Sequence, residues 1–565
     1  MTQRTAYSSQ ELVDFRWQKT NYSLFFENTE IEALAKEFGF MIDRCNQFFE
    51  DNLDWWFEPL SSRNNFISPL FHHFVCFHIC LKLAKESNTP AKCVTDSNAM
   101  HKGLLHLKKI GSWQGEIVHI RKRSFISLLN KRLTSACLTI VHTLIPFMIL
   151  RLLKRPCGER PSEPITIIDT FMLPEHEKSN RYYDGILKKL TEEEKRSIRF
   201  VPSFYGYSFK QYFPSLSALR NQEERFLFKE DFLFFSDYLN AFAHSIRVFK
   251  VRPPAMRVKF FDLADQIEEE LRLFGGLRDA VLGFLNFSFA KRLSKEGIQL
   301  LKAVDWNENQ GQDRGWNYGM NKFYPQVMTV GYSPVFLSQW HLSASPLASE
   351  RKKGILPKTM KVPSSYLVAI KKKNDPKLVA QTTGAFRFTI VTRSNSRNRN
   401  SLSVLVPLPL EESLCIHLCN EARKLASHSN QKLDLTFKLH PASNRALKNR
   451  LKLSAKRDVI EFWTNRTFHE ELKEADVVIG SWTSALVEAA ASGIAVGILS
   501  SPDGLYHNPI PNDVTMGMHI VLDSNDSFDL LLKKTKESVT SRNPIKHIDI
   551  LEKPSRSAAL ELLGI

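Results

Sequence analysis

Two turns and a few carboxylates hold the residue types that could do chemistry. In the first turn, Lys438-Leu439-His440-Pro441 ends an apolar run of strand character and opens a helix. Proline is preorganised for a first helical turn and holds the residue before it extended. His440 therefore stands at a strand end beside free helix N–H groups, which attract anions. Lys438 adds positive charge, and Arg445 and Lys448 follow in the helix. This is a phosphate cradle on one reading and a turn with a surface histidine on the other. In the second turn, the strand-like run 475–480 leads into Ser481-Trp482-Thr483-Ser484 and an alanine-rich helix that stops at Gly493. Small hydroxyl residues after a glycine let backbone and side-chain donors close round a phosphate. Glu488, one turn inside, could accept from ribose hydroxyls or be a plain surface acid.

The carboxylates come from the first half. Glu308 follows the strand expected at 303–306, where open α/β sheets place their ligands, and it is the first candidate for general base on an acceptor hydroxyl or for acid/base partner in a retaining reaction. Asp169, closing the strand expected at 165–169, is the second, and Asp313 the third. Arg314 suits bidentate pairing with a substrate carboxylate, and His341 could assist it. For each, the structural alternative is a loop-capping or solvated side chain. No metal site is expected: Asp262 and Asp265 are spaced for one helix face, and no acidic pair sits where a metal–diphosphate complex would need it. No cofactor is expected beyond the activated substrate.

These groups need a scaffold. The chain has 565 residues, 77 Lys+Arg against 60 Asp+Glu, 43% hydrophobic and 24% charged residues, which are globular values. A mean hydropathy of −0.25 excludes a polytopic membrane protein. The net charge of +17 fits nucleic acid, an anionic bilayer or a phosphorylated substrate equally. Eight cysteines without CxxC spacing read as buried thiols of a cytoplasmic protein, and the polar N-terminus carries no signal-peptide pattern. Residues 1–90 read as helical and aromatic-rich. From residue 91, short apolar runs alternate with helices, predicting strands at 91–95, 116–120, 165–169, 198–201, 303–306 and 327–330 in one parallel sheet. A connector is expected at 346–365. A second block then predicts strands at 366–370, 386–391, 401–406, 433–438, 459–463, 476–479 and 494–499. The domains are thus 1–345 and 366–565. Residues 133–150 carry no formal charge between basic flanks, and 18 residues span about 27 Å. Three placements stay open: a core helix, a helix on the membrane, or a span.

The two turns together resemble the nucleotide-binding half of GT-B glycosyltransferases that build bacterial surface polysaccharide. The His-Pro and Ser/Thr elements are similar to those of bacterial sialyl-, polysialyl- and Kdo-transferases and of polyol-phosphate polymerases. Upstream, Asp305-Trp306-Asn307-Glu308-Asn309-Gln310, Asp313-Arg314-Gly315-Trp316, Val330-Gly331-Tyr332 and Gly384-Ala385-Phe386-Arg387-Phe388 look like a surface-carbohydrate biosynthesis family. The resemblance implies two Rossmann-like domains facing a cleft, with His440 and Pro441 at the nucleotide phosphate and Ser481, Thr483, Ser484 and Glu488 completing the site. Trp482 interrupts the usual adjacent hydroxyl pair.

The function expected is transfer of a sugar, such as Kdo or a sialic acid, from a CMP-activated donor to a glycan or lipid-linked acceptor. The place expected is the cytoplasm or the inner face of the membrane. A CDP-polyol phosphotransferase would use the same cradle. A basic nucleic-acid-binding protein, suggested by clusters at 351–353, 371–373 and 393–399, lacks interleaved aromatics and any recognition motif. A non-catalytic scaffold is the remaining class.

Overall fold

The computed structural model describes residues 12–86, 91–120, 125–153, 161, 163–174, 182–222, 225–273, 277–392, 401–440, 443, 445–453, 460–510, 519–540 and 550–565. Its strands are β1 (Leu12–Asp14), β2 (Lys92–Thr95), β3 (Glu116–His119), β4 (Ile165–Met172), β5 (Ile198–Phe204), β6 (Arg257–Val258), β7 (Phe261–Asp262), β8 (Leu300–Trp306) and β9 (Met328–Tyr332). Then come β10 (Thr359–Val362), β11 (Ala380–Thr382), β12 (Leu402–Pro407), β13 (Leu433–Lys438), β14 (Ile460–Trp463), β15 (Val477–Gly480), β16 (Ala495–Ile498) and β17 (His519–Val521).

Two six-stranded parallel sheets dominate, ordered β11-β10-β9-β8-β4-β5 and β14-β13-β12-β15-β16-β17. Helices cover both faces, which is why strands such as β15 and β16 are buried at every position and read as unbroken apolar runs. The two Rossmann-like domains expected from the sequence are therefore present. In each sheet the chain moves outward in one direction and then returns to the other side of its first strand. The reversal falls between β4 and β8 in the first sheet and between β12 and β15 in the second. Such reversals open a crevice at the carboxyl ends of the strands.

Four expectations need correction. The runs at 91–95 and 116–120 do not join the first sheet; with β1 they form a separate three-stranded parallel sheet. The half-exposed β3 and a long helix carry the chain away before β4 begins. Residues 346–365 are not a connector. A short helix, Ala348–Lys353, is closed by Gly354 at φ 78°, and β10 then pairs with β9. The run 366–370 is helical, within Ser365–Lys372, because a short apolar stretch has no periodicity to separate helix from strand. The first sheet thus continues to Thr382. Residues 386–391 form no strand and make the crossing, with Phe386 in the first domain's core and Phe388 and Val391 in a cluster that both domains share. The C-terminal helix Arg556–Leu563 returns to the first domain, where Leu563 O accepts from Thr166 Oγ1 at 2.8 Å. Six cysteines are buried as expected; Cys137 is exposed, and Cys157 lies outside the described residues.

The helix after β8, Gly311–Phe323, carries Asp313 and Arg314 and crosses helix Leu277–Lys295 at backbone contact. A Cβ on Gly315 would stand 2.0 Å from Gly283 O, so only glycine allows this approach. Gly315→Ala should lower stability by roughly 1–3 kcal/mol, the range for overpacked cores. A urea melt checks it: the midpoint falls while the m-value holds.

Candidate active site

The first crevice opens where β8 ends. Asn309 adopts φ 60°, a left-handed turn that asparagine tolerates, and swings the chain from β8 into helix Gly311–Phe323. The turn is fixed from several sides. Asn309 Nδ2 donates to Glu350 Oε1 at 3.0 Å and to Ser343 O at 3.2 Å, and Asn309 Oδ1 accepts from Arg314 Nε at 3.0 Å. Asp279 accepts from the N–H groups of Gly311 (2.7 Å) and Gln312 (3.2 Å), while Asp313 Oδ2 accepts from those of Glu308 (2.9 Å) and Gln310 (3.0 Å). The protein's own carboxylates therefore occupy this helix N-terminus, and a substrate phosphate has no place at it.

Glu308 stands on that turn with its carboxylate held but not buried. Oε1 accepts from Trp306 Nε1 at 2.8 Å and Oε2 from Gln310 Nε2 at 3.0 Å, and the side chain stays partly exposed. Two donors orient an accessible carboxylate, as a base acting on an acceptor hydroxyl requires. Asp305 and Asp313 are buried behind it, and Asp305 Oδ2 accepts from Asn307 and Asn317, each at 2.9 Å. Burial first, and for Asp313 the repulsion of Asp305 next, raises both above the usual carboxylate range.

Asp169 is not a strand-end acid. β4 continues in register with β5 for three more residues, which leaves Asp169 buried inside the sheet. It faces Ser203, whose hydroxyl accepts from Lys229 Nζ at 2.9 Å, and burial raises it to about 6. Burial also raises Asp279 to about 6, Glu230 to about 7 and Glu270 to about 8. Carboxyls raised on folding hold protons that the unfolded chain has released, so stability falls as pH climbs from the unfolded value towards the folded one. The thermal midpoint should drop between pH 5.5 and pH 8; a rise over that window would contradict these assignments.

Arg314 is not a substrate-binding residue either. Its buried guanidinium is ion-paired with Glu350 and also donates to Trp56 O at 2.9 Å and to Ser61 Oγ. The carboxylate it holds is the protein's own, and it locks the N-terminal segment to the Glu308 turn. His341 packs against Phe66 with ring centroids 4.2 Å apart. Burial, then the neighbouring His507 and Lys371, hold it down to about 3. A neutral ring can donate one hydrogen bond to a substrate carboxylate but forms no ion pair with it.

The cations that face the crevice are others. Lys371, from the last turn of helix Ser365–Lys372, is buried with its Nζ unpartnered. Burial lowers it to about 8, against the attraction of Glu308, Asp313, Asp305 and Glu350. Arg387 sits on the crossing segment with its guanidinium 5.5 Å from the Trp306 ring and 5.9 Å from that of Tyr182. No carboxylate among the described residues pairs with Arg387. Both residues were in view in the sequence. Lys371 lay in a basic cluster attributed to nucleic acid, and Arg387 in a segment quoted only for its resemblance. Of the other clusters, Arg351 pairs with Asp375 at 2.5 Å, and 393–399 lies outside the described residues.

The second crevice carries the two turns. Lys438 pairs in register with Pro407, and Leu405 with Val478, so His440 and the Ser481 turn stand level on either side of β12. Two strand spacings put them about 10 Å apart, within reach of one phosphate. Ser481 is buried with its Oγ unpartnered, and buried hydroxyls in that state are rare. Thr483 caps helix Ser484–Ala491, accepting from Ala485 N at 3.3 Å. Ser484 opens that helix. Lys438 and His440 are half-buried at the end of β13, and Pro441 lies outside the described residues. Glu488 accepts from His469 Nε2 at 2.6 Å and from Thr389 N at 3.5 Å, so any ribose contact would share its carboxylate with His469.

The two crevices face each other. The Trp482 ring, one residue beyond Ser481, lies 3.6 Å from that of Phe66, which also packs on His341. Across the same contact, Ser338 Oγ and His507 Nδ1 are 3.1 Å apart. Nothing local in the chain signals this aromatic contact, which residues far apart build together.

No protein-family model matches the chain, and no curated protein matches its sequence. Solved structures overlap it loosely. The UDP-GlcNAc 2-epimerase from Neisseria meningitidis, solved with UDP-GlcNAc, is 11% identical with a TM-score of 0.39, over 70% of this chain and 98% of that one. The UDP-forming α,α-trehalose-phosphate synthase from Burkholderia vietnamiensis is 8% identical with a TM-score of 0.37, over 71% of this chain and 96% of that one. The functional reading therefore rests on the sheet order and the site itself.

Proposed function

We propose that the protein is a glycosyltransferase that binds a nucleotide-activated sugar in its second domain and transfers the sugar to an acceptor hydroxyl held by the first. The observation that carries this reading is the opposition of two strand-end crevices. One presents an accessible, oriented carboxylate, Glu308, and the other an unpartnered hydroxyl, Ser481, beside a helix N-terminus and His440.

In this mechanism the nucleotide phosphate lies between His440 and the 481–484 turn, where the helix N–H groups and Lys438 take up the charge that develops as it departs. Glu308 removes the acceptor proton. Lys371 and Arg387, on the first domain's side of the cleft, favour an acidic sugar, because an unpaired ammonium and guanidinium suit a carboxylate on the donor. A CMP-linked acidic sugar such as Kdo or a sialic acid is the donor class that combines these features.

The test is a panel of CMP-acidic sugars, CDP-polyols and UDP-hexoses, with nucleotide release followed for each. Release of CMP from an acidic sugar is the expected result. Turnover of a CDP-polyol alone would move the protein to phosphotransfer on the same cradle, and turnover of none would overturn the reading.

A further inference from the structure

Residues 133–150, which the sequence leaves open as a core helix, a membrane-surface helix or a span, lie within the helix Phe125–Leu152. The fold removes two of these. Over Thr134–Leu152, with mean hydropathy 1.7, only 22% of the helix is buried, so it is not a core element. Nor does it cross a bilayer in this fold. β3 precedes it and β4 follows it, and β2, β4 and Phe147 of the helix itself share one continuous core. The strands before and after the helix thus pack on one body, with Ile117 of β3 against the same core.

What remains outside is apolar. Val141, Met148 (56% exposed) and Leu152 (74% exposed) recur at helical spacing along one stripe. The stripe continues onto the helices on either side. On one, Phe209 and Phe213 are each more than half exposed at adjacent turns, and the Phe209 ring stacks on His142 at 5.2 Å. On the other, Phe235 and Leu239 are exposed beside Arg151, whose Nη2 donates to Leu233 O at 2.9 Å. Single exposed apolar residues are ordinary, but a face built from three adjoining helices is not. The sequence flanking the helix has one sign: between residues 117 and 158 it holds eight Lys/Arg and no Asp or Glu.

We infer that this face docks the protein on an anionic lipid bilayer, with the helix lying in the plane of the interface. An apolar stripe on a helix with wholly basic flanks in sequence is the pattern of such helices, and that charge complements acidic lipid headgroups. The face also adjoins the catalytic edge. A groove of about 550 Å³ lined by Leu138, Thr139, His142 and Arg278 opens beside it. Arg278 lies over the ring of Tyr205, whose hydroxyl donates to Gln312 in the helix that follows Glu308. On the glycosyltransferase reading, which this clause alone requires, a lipid-linked acceptor would reach Glu308 from the membrane.

Vesicle co-sedimentation of the full chain tests the docking without any assay of transfer. Binding should be at least tenfold stronger to phosphatidylcholine vesicles containing phosphatidylglycerol than to phosphatidylcholine alone, and should weaken in high salt. The variant Met148→Asp/Phe213→Asp should lose at least tenfold of that binding with its thermal midpoint unchanged. The inference falls if the wild-type chain ignores anionic vesicles or the variant binds them equally well. It also falls if sedimentation velocity shows the variant converting an oligomer to a monomer, which would make the occupant a second copy. Should the variant misfold, Phe209→Ser/Phe235→Ser serves as the second test of the same face.

Discussion

Glu308→Gln should lower the transfer rate by about 10²–10⁴-fold, the range for loss of a positioned general base, and leave nucleotide affinity unchanged. The two effects separate because Glu308 belongs to the first sheet's crevice and the nucleotide turns belong to the second's. The substitution keeps size and shape, and the glutamine oxygen can still accept from Trp306 Nε1, now 2.8 Å from Glu308 Oε1. The turn itself is set by Asn309, Asp313 and Asp279, so the backbone should not move. Steady-state kinetics are the check, with kcat falling while KM for the donor holds. A variant that transfers at the wild-type rate would remove Glu308 from the chemistry.

His440→Ala should reduce kcat/KM for the donor by at least about 10²-fold, the loss expected when one charge-stabilising donor is removed. Here both nucleotide affinity and rate suffer, because the ring would contact the phosphate in the bound donor and in the transition state. His440 stands half-buried beyond the last residue of β13, and the β13 pairing with β12 ends at Lys438, so the sheet keeps its register without it. Circular dichroism and the melting midpoint should match the wild type. Full activity in a folded His440→Ala protein would sink its role.

The second domain is legible in the sequence from 401 to 499; the three-residue, partly exposed edge strand β17 carries too weak a pattern to be read. β15 and β16 are buried throughout and β12 at all but its first residue, so apolar runs locate them, while β13 shows the alternation of a strand with one face less covered. The first domain was legible only in its strand cores. The run 366–370 is too short for periodicity to speak, and its helical form is what places Lys371. Arg314 and Asp169 share the residue types of substrate-binding groups. Only burial distinguishes them, and their partners Glu350 and Lys229 lie far along the chain. Glu308 could be named early because a strand end is a local property, whereas the Phe66–Trp482 contact depends on packing between domains.

A crystal structure with CMP bound tests the central claim most directly. The account predicts the phosphate at the β12/β15 crevice, within about 3 Å of donors of the 481–484 turn and with the His440 ring against it. A phosphate lodged elsewhere, whether beside Glu308 or in the N-terminal sheet, would contradict it.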